Sequence, residues 1–575
     1  MIVYMAYKQK GGFTMKVSGK IISVVLAVVM LFSFTVPAFA ADRVENEQTP
    51  IIYIRGNGEP LYNAQGERIA AEIEDISLGG DDEEEDDDSM KTIIETATNI
   101  LVPFVKEGLF QDKWDNYGKV VYEELSPLFE EAILDGNGNP KNGTGVHPDV
   151  LANAEAQSHI DKGADGRYDV YDYSFAFDWR LDPYEHVDRL HQHIENILAA
   201  TGEEQVSLVS RCLGGAIINA YLEKHGSKGL VKNVVYTETM SNGADLLSKG
   251  FSAQLEFDSK AVQRYLGQMM HCGDTGFGIK ISVPDLAKEI IGSTLDMLTQ
   301  TGTTGIALKA VEGLYDRLYK ALVPALFHSL GQGSQPIYWT CVKEEDFDLA
   351  LDIMFGEEGS EGRAYYAGLI EKILYYREHV TSKLPELYET FTEEYGVHIA
   401  TVAKYGYIND PITEGRLDLS DGLVSLKDAT FGATTARAGA KLSDEYINNR
   451  IAEGKGKYIS FDKEVDTSTA FFPDTTWVIK NVHHNRFATE MDIATEICRG
   501  TNVTVETSRY PRFIMFDEFA KKWSPMTEDN CADLGFIASV TEEPTLKSKL
   551  VSIVDFVRVI FKLFVGVLKG EIKIG

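Results

Sequence analysis

The chain has 575 residues, 44% of them apolar, enough to bury the core of one large domain carrying an insertion or of two domains. Its formal net charge of -33 excludes a general electrostatic partnership with nucleic acid, whose phosphates would be repelled, and no basic stripe offsets it. Five cysteines in so long a chain argue against a disulfide framework, and Cys272, Cys341, Cys498 and Cys531 lack the close spacing of a zinc site, so core thiols are expected and no metal or cofactor is assigned.

Residues 1–40 read as a start region and a secretory signal. Lys16 and Lys20 precede an apolar stretch from Ile21 to Phe34, and Ala38, Phe39 and Ala40 form a small-residue cleavage site. Met15 is the preferred initiator, since the residues before it set the basic region too far from the first methionine. The mature chain then begins at Ala41, in a secreted or other extracytoplasmic location. The first strand is Ile51 to Ile54, followed by the loop Arg55, Gly56, Asn57, Gly58. The acidic run Asp81 to Asp88 reads as a solvated loop, because like charges repel and resist burial; weak calcium binding is the minor alternative.

Asp182 is placed to cap a helix whose apolar residues Tyr184, Val187, Leu190, Ile194, Ile197 and Leu198 recur at three to four, with Thr201 and Gly202 ending it. A short buried strand from Val206 then runs into Ser210, Arg211, Cys212, Leu213, Gly214 and a helix. This is the pattern of a nucleophile elbow, in which small flanking residues permit a sharp strained turn that lifts the nucleophile above a sheet. Ser210 and Gly214 fill the small positions and Cys212 fills the place usually held by serine. In such an elbow the residue after the nucleophile supplies one backbone N–H of an oxyanion hole and the loop after an early strand supplies the other, which places the donors on Leu213 and Asn57. A strand at Val231 to Tyr236 continues the helix and strand alternation of a parallel sheet covered by helices.

From Ala244 to about Val397 the chain turns to long amphipathic segments such as Val311 to Phe327 and Ala364 to Phe391, interrupted by Gly331, Gly333 and Pro336, and reads as a helical cap. Strand-like sequence resumes at His398 to Lys404, followed by Tyr405, Gly406 and Tyr407 and then by Leu419 to Ser425, which carries Asp421. A second strand, Trp477 to Lys480, leads to His483 and His484. A neutral imidazole has to take the thiol proton and a carboxylate has to fix its tautomer, roles that fall to His484 and Asp421, with His483 as the adjacent alternative. Leu550 to Leu568 is almost wholly apolar, with Ser552, Asp555, Arg558, Lys562 and Lys569 on one narrow stripe: an amphipathic helix lying on a membrane surface or packed on the protein's own body.

The residues in this order resemble the α/β-hydrolase superfamily, and most nearly its secreted lipase and lecithin:cholesterol acyltransferase-like branch. The marks are Arg55 to Gly58, the segment Phe177, Asp178, Trp179, Arg180 before a helix, the elbow at Cys212, the turn Thr239 to Gly243, Ser420 to Ser425, and His483/His484. Departures are Arg55 and Arg211 where many relatives carry His, and Cys212 where they carry Ser; dienelactone hydrolases and polyhydroxyalkanoate synthases in the superfamily also use cysteine. The resemblance implies an α/β fold with a mostly parallel sheet flanked by helices, a large helical cap insertion and a C-terminal amphipathic helix. In residues this is a first half at 41–243, a cap at 244–397, a second half at 398–510 and an extension at 511–575. It also implies an acyl ester or lipid substrate, taken by an esterase, lipase or acyltransferase with a Cys-His-Asp triad, the alternative being a catalytically silent surface or binding protein that kept the fold.

Overall fold

The structure, a computed structural model, describes residues 49–56, 59–69, 99–100, 103, 117–155, 173–255, 322–408, 418–517 and 520–533. The chain divides after Glu47, and all described residues lie in the second unit, Gln48–Gly575. The signal segment, Asn57, the acidic run, Cys272, most of Val311 to Phe327 and the C-terminal amphipathic helix lie outside the described residues.

Short runs rich in Val, Ile, Tyr and Phe, apolar at successive positions rather than alternating, are what a strand buried on both faces requires. Such runs form the centre of one eight-stranded sheet, whose edges are the short Tyr173–Ser174 and the exposed Lys522–Pro525. In chain order the strands are β1 (Ile51–Ile54), β2 (Tyr173–Ser174), β3 (Val206–Arg211), β4 (Val231–Thr237), β5 (His398–Tyr405), β6 (Thr476–Lys480), β7 (Phe513–Asp517) and β8 (Lys522–Pro525). Their spatial order is β8-β7-β6-β5-β4-β3-β1-β2, parallel throughout except for the antiparallel β7/β8 edge pair. Strands β7 and β8 fall in the 511–575 segment set apart as an extension, yet Val478 of β6 pairs with Phe513 of β7, so the sheet crosses the boundary drawn at 510. The apolar run Phe513 to Phe516 is buried and lies between β6 and the edge strand β8.

Alternate residues of each strand serve opposite faces. Ile51, Tyr53, Val209, Val235, Val402, Trp477 and Ile479 pack on one side against α7 (Glu490–Arg499), through Ile493, Ala494 and Ile497. Each such fully buried aliphatic side chain contributes about 1.5–3 kcal/mol. Ile52, Ile54, Leu208, Val234 and Val478 face the other side, where α1 (Val187–Thr201) and α2 (Gly214–His225) lie. Asp182 does accept a hydrogen bond from Tyr184 N at 3.1 Å, but it caps a 3-10 turn at Pro183–Glu185. The α-helix proper starts at Val187, after His186 turns its ring to the Asp178 carbonyl at 3.0 Å. Gly202 closes α1 at φ 77°, returning its N–H to Leu198 O.

Between β4 and β5 the described residues form helices joined by turns. They include α3 (Asp245–Phe251), residues 322–329, α4 (Phe347–Phe355), α5 (Ala367–His379) and α6 (Leu384–Glu389). Trp339, Phe347, Phe355 and Phe391 from this stretch share one apolar core with Ile54 and Val234 of the sheet. No helix among the described residues is long and apolar enough to cross a membrane.

Strand β1 has β2 on one flank and β3 on the other, so the chain leaves β1 in one direction and returns on the opposite side. At such a switch of direction the loops beyond the carboxyl ends of two adjacent strands part and leave a crevice, the usual ligand position in open parallel sheets. Arg55 and Gly56 leave β1 there, and Cys212 leaves β3 there.

Candidate functional site

Cys212 stands between β3 and α2 at φ 53°, a left-handed backbone that a side chain adopts at a cost. Both neighbours of the turn hold it. Cys212 N donates to Thr237 O and Met240 N donates to Cys212 O, each at 3.3 Å, which ties the turn to the end of β4. The glycines on its far side leave no room for anything larger. A Cβ on Gly214 would stand 2.3 Å from Ile54 O, and one on Gly215 would stand 1.9 Å from Ser241 Oγ. A Cβ on Gly56 would meet Cys212 Cβ at 2.9 Å and Leu213 N at 3.0 Å, so the β1 loop lies directly against the thiol-bearing turn. Leu213 itself precedes the first turn of α2, where backbone N–H groups have no partner within the helix and the helix dipole favours negative charge.

His484 follows β6, and its imidazole Nδ1 is 2.7 Å from Asp421 Oδ2. The two loops are also joined through their backbones, His484 N donating to Asp421 O at 2.8 Å. Asp421 Oδ1 accepts from Leu423 N at 3.0 Å and Val424 N at 2.8 Å, so both carboxylate oxygens are engaged and the group cannot rotate away. Both residues are buried, as is Cys212 at 8% exposure.

Burial by itself would lower the His484 pKa, but the Asp421 charge and hydrogen bond, together with a hydrogen bond and charge from Cys212, raise it to about 10. The imidazolium in turn holds the Asp421 carboxyl below its ordinary range, against the opposing effect of burial. Ionised His484 stabilises the fold fully below about pH 6.5, and that contribution disappears as pH rises through about 10. The expected result of a histidine NMR titration is therefore a ring that stays protonated through neutral pH and loses its proton near pH 10, reverting toward the ordinary range in Asp421→Asn. A wild-type midpoint near 6.5 would mean that the pair does not form in solution.

Of the two adjacent histidines, His484 meets Asp421. His483 instead packs edge-on against Tyr407, ring centroids 5.1 Å apart, and its Nδ1 accepts from Asn485 N at 3.4 Å. Leu213 stands beside Cys212 at the turn, while Asn57 lies outside the described residues. Asp178 and Arg180, marked by the motif before the elbow, form a buried pair: Arg180 reaches both Asp178 oxygens at 2.9 and 2.7 Å and the Ala132 and Thr144 carbonyls. Trp179 Nε1 donates to Glu59 O at 3.1 Å and so steadies the loop after β1. The sequence marked the turn Thr239 to Gly243 without giving Met240 a role, yet its Sδ lies 3.7 Å from Cys212 Sγ and 3.9 Å from Cys341 Sγ. No local pattern could have announced it, because Cys341 reaches that spot from the helical stretch. Among the described residues no group of His, Cys, Asp and Glu is arranged to hold a metal ion.

A thiol, an imidazole that exchanges a proton with it and a carboxylate that orients the imidazole can together carry nucleophilic attack and proton transfer. Comparison with family models, with curated proteins and with solved structures returned no match for this chain. The class that can be stated is an α/β protein with a mostly parallel, helix-flanked sheet.

Proposed function

We propose that this protein is an α/β-hydrolase-like enzyme acting on acyl esters, as an esterase, lipase or acyltransferase, through an acyl thioester on Cys212. The carrying observation is the convergence of Cys212, His484 and Asp421 at the carboxyl edge of the sheet, with the 2.7 Å contact between His484 and Asp421. The strand order and the positive φ of Cys212 support the same reading, since an elbow at the switch of direction is where this chemistry is built in that superfamily.

In this mechanism the Cys212 thiolate attacks the ester carbonyl carbon, and the carbonyl electron pair moves onto the oxygen. The oxyanion is stabilised by the Leu213 N–H and by a second donor from the loop after β1, assigned to Asn57. Collapse breaks the bond to the leaving alkoxide, which takes the proton on His484 Nε2, the nitrogen not held by Asp421. An acyl thioester and a neutral imidazole remain. Water or an acceptor alcohol then gives its proton to His484 as it attacks the thioester, and the thiolate leaves.

The expected result with p-nitrophenyl esters is a covalent acyl adduct on the intact protein together with nitrophenol release, both absent in Cys212→Ala. The competing reading, a catalytically silent surface or binding protein, draws on the burial of Cys212 and its sulfur contact with Met240. Equal behaviour of wild type and Cys212→Ala would make Cys212 structural and put that alternative in the lead. The helical stretch between β4 and β5 is proposed as the lid and acyl pocket.

The proposed location is secreted or extracytoplasmic, from the basic and apolar pattern of residues 16–40, with residues 549–575 resting on a membrane surface. Full-length protein is then expected to float with lipid vesicles and a form ending at residue 548 to remain behind. Identical flotation would remove the membrane contact.

A further inference from the structure

The charges that matter next lie beneath the triad. Arg211, the residue preceding Cys212, places Nε 3.3 Å from Glu238 Oε2, and the same guanidinium donates to the backbone carbonyl of His484. Its planar group also lies over the Phe487 ring, 4.6 Å from the centroid. Glu238 follows β4 at φ 40° with a fully buried side chain, and its other oxygen pairs with Lys404 of β5. Lys404 Nζ is in turn 2.7 Å from Glu490 Oε1 at the start of α7 and donates to the Arg486 carbonyl at 2.8 Å. Glu490 Oε2 accepts from Ala488 N at 2.7 Å.

Cations and carboxylates thus alternate along the carboxyl ends of β3, β4 and β5, and the chain of charges touches the histidine loop at 484, 486, 487 and 488. An isolated buried ion pair is a poor source of stability, because desolvation offsets its Coulomb gain. This one has a different geometric consequence. Arg211 is bonded covalently to the nucleophile's residue and by hydrogen bond to the carbonyl of the base's residue, so one rigid fork spans both.

We propose that Arg211, held by Glu238, is a positioning residue that fixes the His484 imidazole relative to Cys212, with Lys404 and Glu490 anchoring the rest of the histidine loop. This rests on the triad reading for its catalytic meaning, but the placement itself is testable without any ester substrate. Lysine at 211 keeps the charge facing Glu238 and loses the fork that reaches both partners.

The experiment compares wild type, Arg211→Lys, Arg211→Met and Asp421→Asn by two readouts. The first is the downfield proton NMR signal of the His484 Nδ1–H, present in wild type and absent in Asp421→Asn. The second is the rate of Cys212 alkylation by iodoacetamide at neutral pH. Arg211→Lys is expected to broaden or lose the signal well below its melting temperature and to slow alkylation about tenfold. Where an ester is turned over, kcat falls and KM does not. Arg211→Met, if it folds, shows the same or more.

A signal and an alkylation rate both unchanged in Arg211→Lys would overturn the proposal, and so would a lowered melting temperature as its sole effect. Failure of wild type to form an acyl adduct would sink the enzyme reading and leave these two measurements still decisive for positioning.

Discussion

His484→Ala is expected to lower turnover of a p-nitrophenyl ester about a thousand- to ten-thousand-fold, with little change in KM. The imidazole is held by Asp421 and meets Cys212, so in the proposed mechanism its removal would delete the proton donor for the leaving alcohol and the cation beside the thiol in one step. Residues that act as a unit are not additive: the double variant His484→Ala with Cys212→Ala should be no slower than Cys212→Ala alone. Steady-state kinetics of the three variants decide it. Retention of activity within tenfold of wild type by His484→Ala would remove the histidine from the chemistry.

Asp178→Ala is expected to destabilise the fold by about 3–5 kcal/mol, because it strands a guanidinium that is fully buried. Arg180 would keep its contacts to the Ala132 and Thr144 carbonyls, which satisfy hydrogens but supply no countercharge. Replacing both partners, as Asp178→Ala with Arg180→Met, should recover much of the loss, since an apolar stem can occupy the Arg180 path without a buried charge. Urea unfolding midpoints report all three proteins on one scale. A loss below about 1 kcal/mol in Asp178→Ala would mean that water reaches the pair.

Much of the candidate site is local in sequence. The run from Val206 to Asn219 specifies a strand, a turn and a helix through its own apolar and small residues, whereas the crowding that demands glycine at 214 and 215 comes from Ile54 and Ser241, distant in sequence. Asp421 and His484 follow apolar runs whose strand character is equally local, and the structure joins them at 2.7 Å. The choice between His483 and His484 was not legible, since adjacent side chains after a strand point to different sides only once the loop has a conformation. Here a bond from His484 N to Asp421 O sets that loop. The start of α1 moved for a related reason: Asp182 and Pro183 are good helix-start residues, but the pull of His186 toward the Asp178 carbonyl confines them to a 3-10 turn.

The sequence by itself determined the strands β1, β3, β4, β5 and β6 and the helices α1 and α2, because apolar runs and periodicity act through near neighbours, and it identified the sulfur at the tight turn; β2, β7, β8 and α7 it left unmarked. Tertiary structure alone decided the strand order, the incorporation of Phe513 to Phe516 into the sheet, the approach of Met240 to Cys212 and the charge chain from Arg211 to Glu490. Each of these joins residues distant in sequence through burial. In a low-dielectric interior every buried charge requires a partner, and the partner is supplied by whichever strand the packing brings alongside.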